Sequence, residues 1–175
     1  AQWHNLLLSH ELRTQAVRML VPVSMLHFET TLASFKGALL LGLRRDFGGD
    51  PQHLSVLASS MSDGSAVRRF LVLHDTVPGG TGYLDRFGEP DRLKTILELA
   101  REALAECPCR TEGRAACHRC LYGVLSSREM PHASRETALK LLDDFLCEWD
   151  VEEIDTVTGI DIAPVQLSEL EMQFR

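Results

Sequence analysis

Four of the chain's five cysteines fall within fourteen residues, as Cys107-Pro108-Cys109, seven intervening residues, then Cys117-His118-Arg119-Cys120. Two close thiolate pairs joined by a short loop can converge on one tetrahedral centre, and Zn²⁺ held by four sulfurs is the common outcome. Disulfides or merely buried thiols are the other readings of the same spacing. A closed four-sulfur shell leaves no position for water, so a metal here is structural rather than catalytic. The expected cofactor is one structural Zn²⁺ on Cys107, Cys109, Cys117 and Cys120. His118 sits between ligands and could replace one of them, although Cys117 has the better spacing. The fifth cysteine, Cys147, falls on a helical apolar face and is expected in the core.

Clustered cysteines without a secretory signal predict a reducing, cytoplasmic setting. Leu6-Leu7-Leu8 is too short for a signal peptide and lacks its basic flank. No apolar run reaches the ~18 residues that a membrane span needs. The 175 residues, 45% hydrophobic, suit one domain with a core of its own. The chain begins at Ala1 without a methionine, within what reads as continuing sequence, and is expected to be a piece of a larger protein. The net charge of −7 resides in residues 148 to 175, where eight acids face only Arg175, while residues 1 to 147 balance. Around the cysteines the sign reverses: between positions 110 and 128, Arg110, Arg114, Arg119 and Arg128 face only Glu112. A basic patch on a metal-fixed loop suits contact with phosphate, and equally suits a solvated loop.

The rest of the chain supplies a scaffold. Met19-Leu20-Val21, bounded by Pro22, reads as a strand. Thr30 or Thr31 then caps a helix with Leu32, Phe35, Leu39, Leu43 and Phe47 on one stripe, stopped by Gly48-Gly49 after Arg44 and Arg45. Residues 53 to 60 and 68 to 74 are strands about an Asp63-Gly64 turn, hence a hairpin and an antiparallel sheet. A glycine-rich turn follows, with Asp75, Pro78, Gly79, Gly80 and Gly82. Bare amides there could cradle an anion. The plainer reading is a tight turn in which Asp75 ties down backbone amides. His74 and Asp75 are no dyad, since strand neighbours point to opposite faces. Pro90 opens a helix with Leu93, Ile96, Leu97, Ala100 and Leu104 buried, running into Cys107. Ser134 caps a last helix bearing Leu139, Leu142, Phe145, Leu146 and Trp149. The fold class is therefore α+β: a small antiparallel sheet packed with helices, and a Cys₄ zinc knuckle between the last two helices. Residues 1 to 12 read as a linker, 13 to 150 as the domain, and 151 to 175 as an acidic tail or the start of a following domain.

Asp75-x-x-Pro78-Gly79-Gly80-Thr81-Gly82-Tyr83, a helix, then Cys107-Pro-Cys109 and Cys117-x-x-Cys120 with a final amphipathic helix resemble one family. The pattern is similar to the zinc-binding C-terminal domain of mitomycin-repair-type superfamily 2 DNA helicases, the MrfA zinc-binding domain, which also recurs in large helicase-like proteins of anti-phage defence. The likeness spans roughly residues 11 to 148 and implies that the four cysteines are zinc ligands. His132-Ala133-Ser134-Arg135 stands where many relatives carry an Asn-x-x-Leu-Asp-Lys-like run, which points to the defence-type branch. No Walker A lysine motif and no Asp-Glu-x-His box occurs in the chain. The resemblance implies a non-catalytic accessory domain that braces a helicase or translocase motor, in the same or a partner chain, and offers Arg110, Arg114 and Arg119 to DNA. The alternative is a protein-docking scaffold that never touches nucleic acid, and a third reading is an enzyme acting at the glycine-rich turn. Neither a membrane nor a small-molecule substrate is indicated.

Overall fold

The computed structural model describes residues 11–20, 29–49, 52–63, 66–147 and 149. The expectations for the leading linker (up to residue 10) and for the acidic tail beyond residue 150 lie outside these. Three strands, β1 (Ala16–Leu20), β2 (Leu54–Asp63) and β3 (Ala66–Asp75), form one antiparallel sheet in the order β1-β3-β2. Among the described residues three α-helices, α1 (Glu29–Asp46), α2 (Pro90–Ala105) and α3 (Arg135–Cys147), accompany it. The α+β class and the antiparallel hairpin are both present, and the cysteine cluster lies between α2 and α3. Among the described residues no helix is long and apolar enough to cross a membrane.

The central strand is the one that carries the strongest apolar run. Leu71 and Leu73 of β3 are buried, and their cross-strand partners on one face are Met19 and Val17 of β1 and, opposite Leu73, Val56 of β2. Side chains alternate along a strand. The same face therefore ends at Asp75, which is fully buried, while His74 turns to the other side with Phe70 and Val72. This outer face is only half-buried, and at its edge Leu20 is 62% exposed.

Helix α1 departs from expectation. It begins at Glu29, so Thr30 and Thr31 lie inside its first turn rather than capping it. The stripe through Phe35, Leu39 and Leu43 is buried, and so are Ala33, Ser34, Gly37, Ala38 and Leu40–Gly42 between its members. A helix apolar nearly all round is an internal one, and here small residues make the extra faces usable. A Cβ at Gly42 would stand 2.2 Å from the Ile96 carbonyl oxygen, so α1 and α2 pack backbone to backbone there. On the side toward α3, the Phe35 and Phe145 rings lie 5.3 Å apart. The buried Ser34 hydroxyl accepts a 2.9 Å hydrogen bond from the Ser134 amide, just where α3 begins. Ser134 in turn caps α3, its hydroxyl accepting from the Thr137 amide.

The end of α3 corrects the expectation for Cys147, which is exposed. At 3.6 residues per turn, position 147 lies about 140° round the helix from Leu142, and Leu142 is the residue fully buried in the core. Cys147 therefore joins the charged side with Glu98, Arg101 and Asp143, and the apolar stripe passes it by.

Candidate metal centre

Helix α2 ends against the cluster: the Cys107 amide bonds back to the Leu104 carbonyl, and Pro108 starts a single 3₁₀ turn through Arg110. The chain then doubles back through Gly113 (φ 66°), and the Arg114 amide donates to the Cys109 carbonyl. The second pair closes a reverse turn in which the Cys120 and Tyr122 amides both donate to the Cys117 carbonyl at 3.1 Å. The Arg135 amide donates to Ala115 at 2.7 Å, tying the start of α3 to the middle of the loop.

These turns bring all four sulfurs together within 4.8 Å of one another. Cys107 Sγ lies 3.4 Å from Cys109 Sγ and 3.5 Å from Cys117 Sγ, and Cys120 Sγ lies 3.8 Å from both Cys109 and Cys117. A tetrahedron of sulfurs about 2.3 Å from a zinc ion has edges of about 3.8 Å, so the group has the size of a Zn–S₄ shell. None of the four is in a disulfide, and each of these sulfur separations is well beyond the ~2.05 Å of an S–S bond. Cys107, Cys109 and Cys120 are buried, Cys117 is half-buried, and the Cys117 amide points at Cys120 Sγ from 3.3 Å. His118 is exposed and is not one of the converging group.

The thiols do not share charge evenly. Burial pushes the Cys109 thiol far up, with its hydrogen bond to Cys107 and the charge of Cys120 adding to the effect. Cys120 is pushed up to about 11, again by burial first. At Cys117 burial also pushes up, but the Arg119 amide and the neighbouring thiols together outweigh it and favour the thiolate. Four sulfurs this close cannot all ionise beside one another without a cation, and a bound dication removes the conflict. One zinc ion fits both the geometry and the charge of this donor set.

The knuckle is seated on α1 by glycines that its spacing did not flag. Leu121 and Leu125 press onto Gly37, where a Cβ would stand 3.0 Å from Leu121 and 3.1 Å from Leu125. A Cβ at Gly123 would stand 2.3 Å from the His118 carbonyl oxygen and 3.3 Å from Arg44 Nη1, so α1's C-terminal arginine reaches the knuckle. Glu129 then fastens the outgoing segment, pairing with Lys36 at 2.6 Å and accepting from the Ser126 hydroxyl.

Arg110, Arg114 and Arg119 all lie exposed around the sulfurs, with Arg114 paired to Glu112 at 3.1 Å. Arg128 is set apart, lining a groove beside Lys36, Glu129 and His132. The glycine-rich turn is also apart from the sulfurs, and it is closed from within. Asp75 accepts hydrogen bonds from the Val77 amide at 2.8 Å, the Thr81 amide at 2.7 Å and the Thr81 hydroxyl. Gly79, Gly80 and Gly82 have φ of 83°, 79° and 80°. Their amides donate to Arg13 O, Val77 O and Gln15 Oε1. With these amides already engaged inside the protein, the turn has no row of free donors to offer an anion.

Residues 35–121, which include all four cysteines of the group, match the model of the family described as the MrfA Zn-binding domain. No curated protein matches the chain. Among solved structures it is similar to the DUF1998 helicase MrfA bound to DNA, with 20% identity and a TM-score of 0.47 over 71% of this chain. The likeness takes in 15% of that helicase, so the chain spans a small part of its length. Residues 35–121 are thus similar to a zinc-binding family, and the four cysteines whose sulfurs converge in the structure all lie inside the matched stretch.

Proposed function

We propose that this chain is the non-catalytic zinc-binding accessory domain of a DNA helicase or translocase, acting in DNA repair or phage defence. The observation that carries it is the four-sulfur group inside the matched family region, at the spacing of a closed zinc shell. Cys107, Cys109, Cys117 and Cys120 hold one structural Zn²⁺, and residues 13 to 150 form the working unit. The family is named for MrfA, and the MrfA of the solved structure is a helicase bound to DNA. By that analogy the motor lies in the same or a partner chain, in the cytoplasm. The domain braces it, and Arg110, Arg114 and Arg119 contact the nucleic-acid backbone.

Chelator-released metal should amount to one zinc per chain. The zinc-loaded chain should bind a labelled single strand with an affinity that falls as salt rises, because phosphate contacts release counterions. The Arg110/Arg114/Arg119 triple alanine variant should bind more weakly with a shallower salt slope. A second reading, a docking scaffold without nucleic-acid contact, is favoured by the half-exposed outer sheet face with Phe70, Val72 and Leu20. Absence of strand binding up to ~100 μM, near the range of non-specific binding, would decide for the scaffold.

A further inference from the structure

Beside the sulfurs the knuckle opens into a cleft of about 540 Å³, within the size range of small-ligand sites. Arg114, Arg119 and one acid, Glu112, line it together with Pro108, His118 and Tyr122. The His118 and Tyr122 rings meet edge to face, with centroids 5.9 Å apart and planes at 73°, so each ring keeps a face that the other does not cover. Tyr122 is half-buried and its amide is anchored on the Cys117 carbonyl, which fixes the ring's base to the sulfur-bearing turn. Among the described residues the Arg114 side chain pairs with Glu112, and both side chains are well exposed at 66% and 49%. Such a surface pair contributes little and exchanges readily for a stronger anion.

Resting on the nucleic-acid reading above, we infer that this cleft takes one unpaired nucleobase, stacked on Tyr122, with the flanking phosphates against Arg114 and Arg119. An aromatic face between cations is the arrangement that holds single strands without regard to sequence, because every base has a π-face. A base within a duplex has no free face to offer, so the cleft distinguishes single from double strands. The arginines alone would supply only a salt-sensitive attraction shared by both. Rigid placement matters here, and it comes from the turn that the metal closes.

The test uses the zinc-loaded chain, a labelled single strand and a blunt duplex of equal length at fixed salt. Tyr122→Ala should weaken single-strand binding about 5- to 150-fold, the range of one base–aromatic stack. Its salt slope and its duplex affinity should stay unchanged, and Tyr122→Phe should restore the strand affinity. Because Tyr122 also packs on the core, a second measurement leaves it in place. Strands carrying 2-aminopurine at successive positions should show quenching on binding to the unmodified chain. Normal strand binding by a folded, zinc-loaded Tyr122→Ala variant, or equal losses for strand and duplex, overturns the cleft while leaving the arginine contacts standing. So does 2-aminopurine emission unchanged at every position. Failure of the unmodified chain to bind any strand removes both readings together.

Discussion

Two irregular loops of this domain solve the same problem with opposite chemistry. The turn after β3 and the knuckle after α2 both reverse the chain without regular structure, and each is gathered about a buried centre. In the first, the centre is one carboxylate: Asp75 collects two amides and a hydroxyl, and Gln15 and Arg13 close the remainder. In the second, the centre is four sulfurs whose only amide donors among the described hydrogen bonds come from the knuckle itself. A carboxylate is satisfied by donors the chain already owns. Four clustered thiols become satisfied only when a cation replaces their protons, so the first loop is self-sufficient and the second depends on something from outside the chain.

The largest effect should therefore follow loss of the metal site. Cys109→Ser, or stripping the zinc, is expected to unfold the region from the end of α2 through α3, because structural zinc couples ~10 kcal/mol or more to folding. The Leu121 and Leu125 contacts on Gly37 would go with it. Protease mapping and circular dichroism of the zinc-free chain would check this, with cleavage expected between positions 105 and 135. A Cys109→Ser variant that keeps its zinc and its melting temperature would break the comparison, since the knuckle would then be as self-sufficient as the other loop.

How well each loop could be read from sequence follows from the same contrast. Cysteine spacing exposes a metal centre because the ligands sit close together in the chain, and the C-x-C and C-x-x-C pairs are those the structure assembles. Asp75 also works locally, so its hold on Val77 and Thr81 was within reach of turn chemistry. The partner that completes that turn was not, because Gln15 lies 67 residues from Gly82. The strands and the helices were legible from period, from Pro90 at the start of α2 and from the Ser134 cap of α3, whereas the true start of α1 at Glu29 and its all-round burial were not. A stripe predicts one buried face, and only the tertiary contacts reveal that Gly37 and Gly42 open two more. Arg44 against Gly123, and the Tyr122 cleft, likewise arise from elements or turns meeting in space.

Asp75→Asn should have the next largest effect, about 2–3 kcal/mol, the cost of replacing hydrogen bonds to a charged group by a misplaced donor. Calorimetry should show a lower melting temperature with zinc content unchanged, which separates the two loops. Acid titration sharpens this. Burial pushes the Asp75 carboxyl up, but the Thr81 hydroxyl, the Val77 and Thr81 amides and nearby His53 outweigh it and hold it below its ordinary value. A carboxyl depressed in the folded state contributes stability that is present above its unfolded pKa of about 3.9 and is lost as pH falls through the folded value. The stability gap between the unmodified chain and Asp75→Asn should then be in place at about pH 5 and shrink below that. A gap that widened in acid would mean that Asp75 is not the charged centre of its loop.

The smallest effect compares the loops residue for residue. Gly79 and Gly113 have φ of 83° and 66°, and a Cβ at either would meet nothing within 4 Å. Alanine at each position thus isolates the backbone cost of a left-handed conformation, about 1–2 kcal/mol, free of any clash. With zinc bound, the two substitutions should lower stability by similar amounts. With zinc stripped, the Gly79→Ala cost should persist, because its loop is still closed by Asp75. The Gly113→Ala cost should vanish, because a loop no longer held by metal is free to relax φ at that residue. Chemical denaturation of both variants with and without chelator reads this directly. Persistence of the Gly113→Ala penalty in the zinc-free chain would mean that hydrogen bonds, such as Arg114 amide to Cys109 and Arg135 amide to Ala115, hold the knuckle's first turn without help. The metal would then be fastening a loop that the chain had already built.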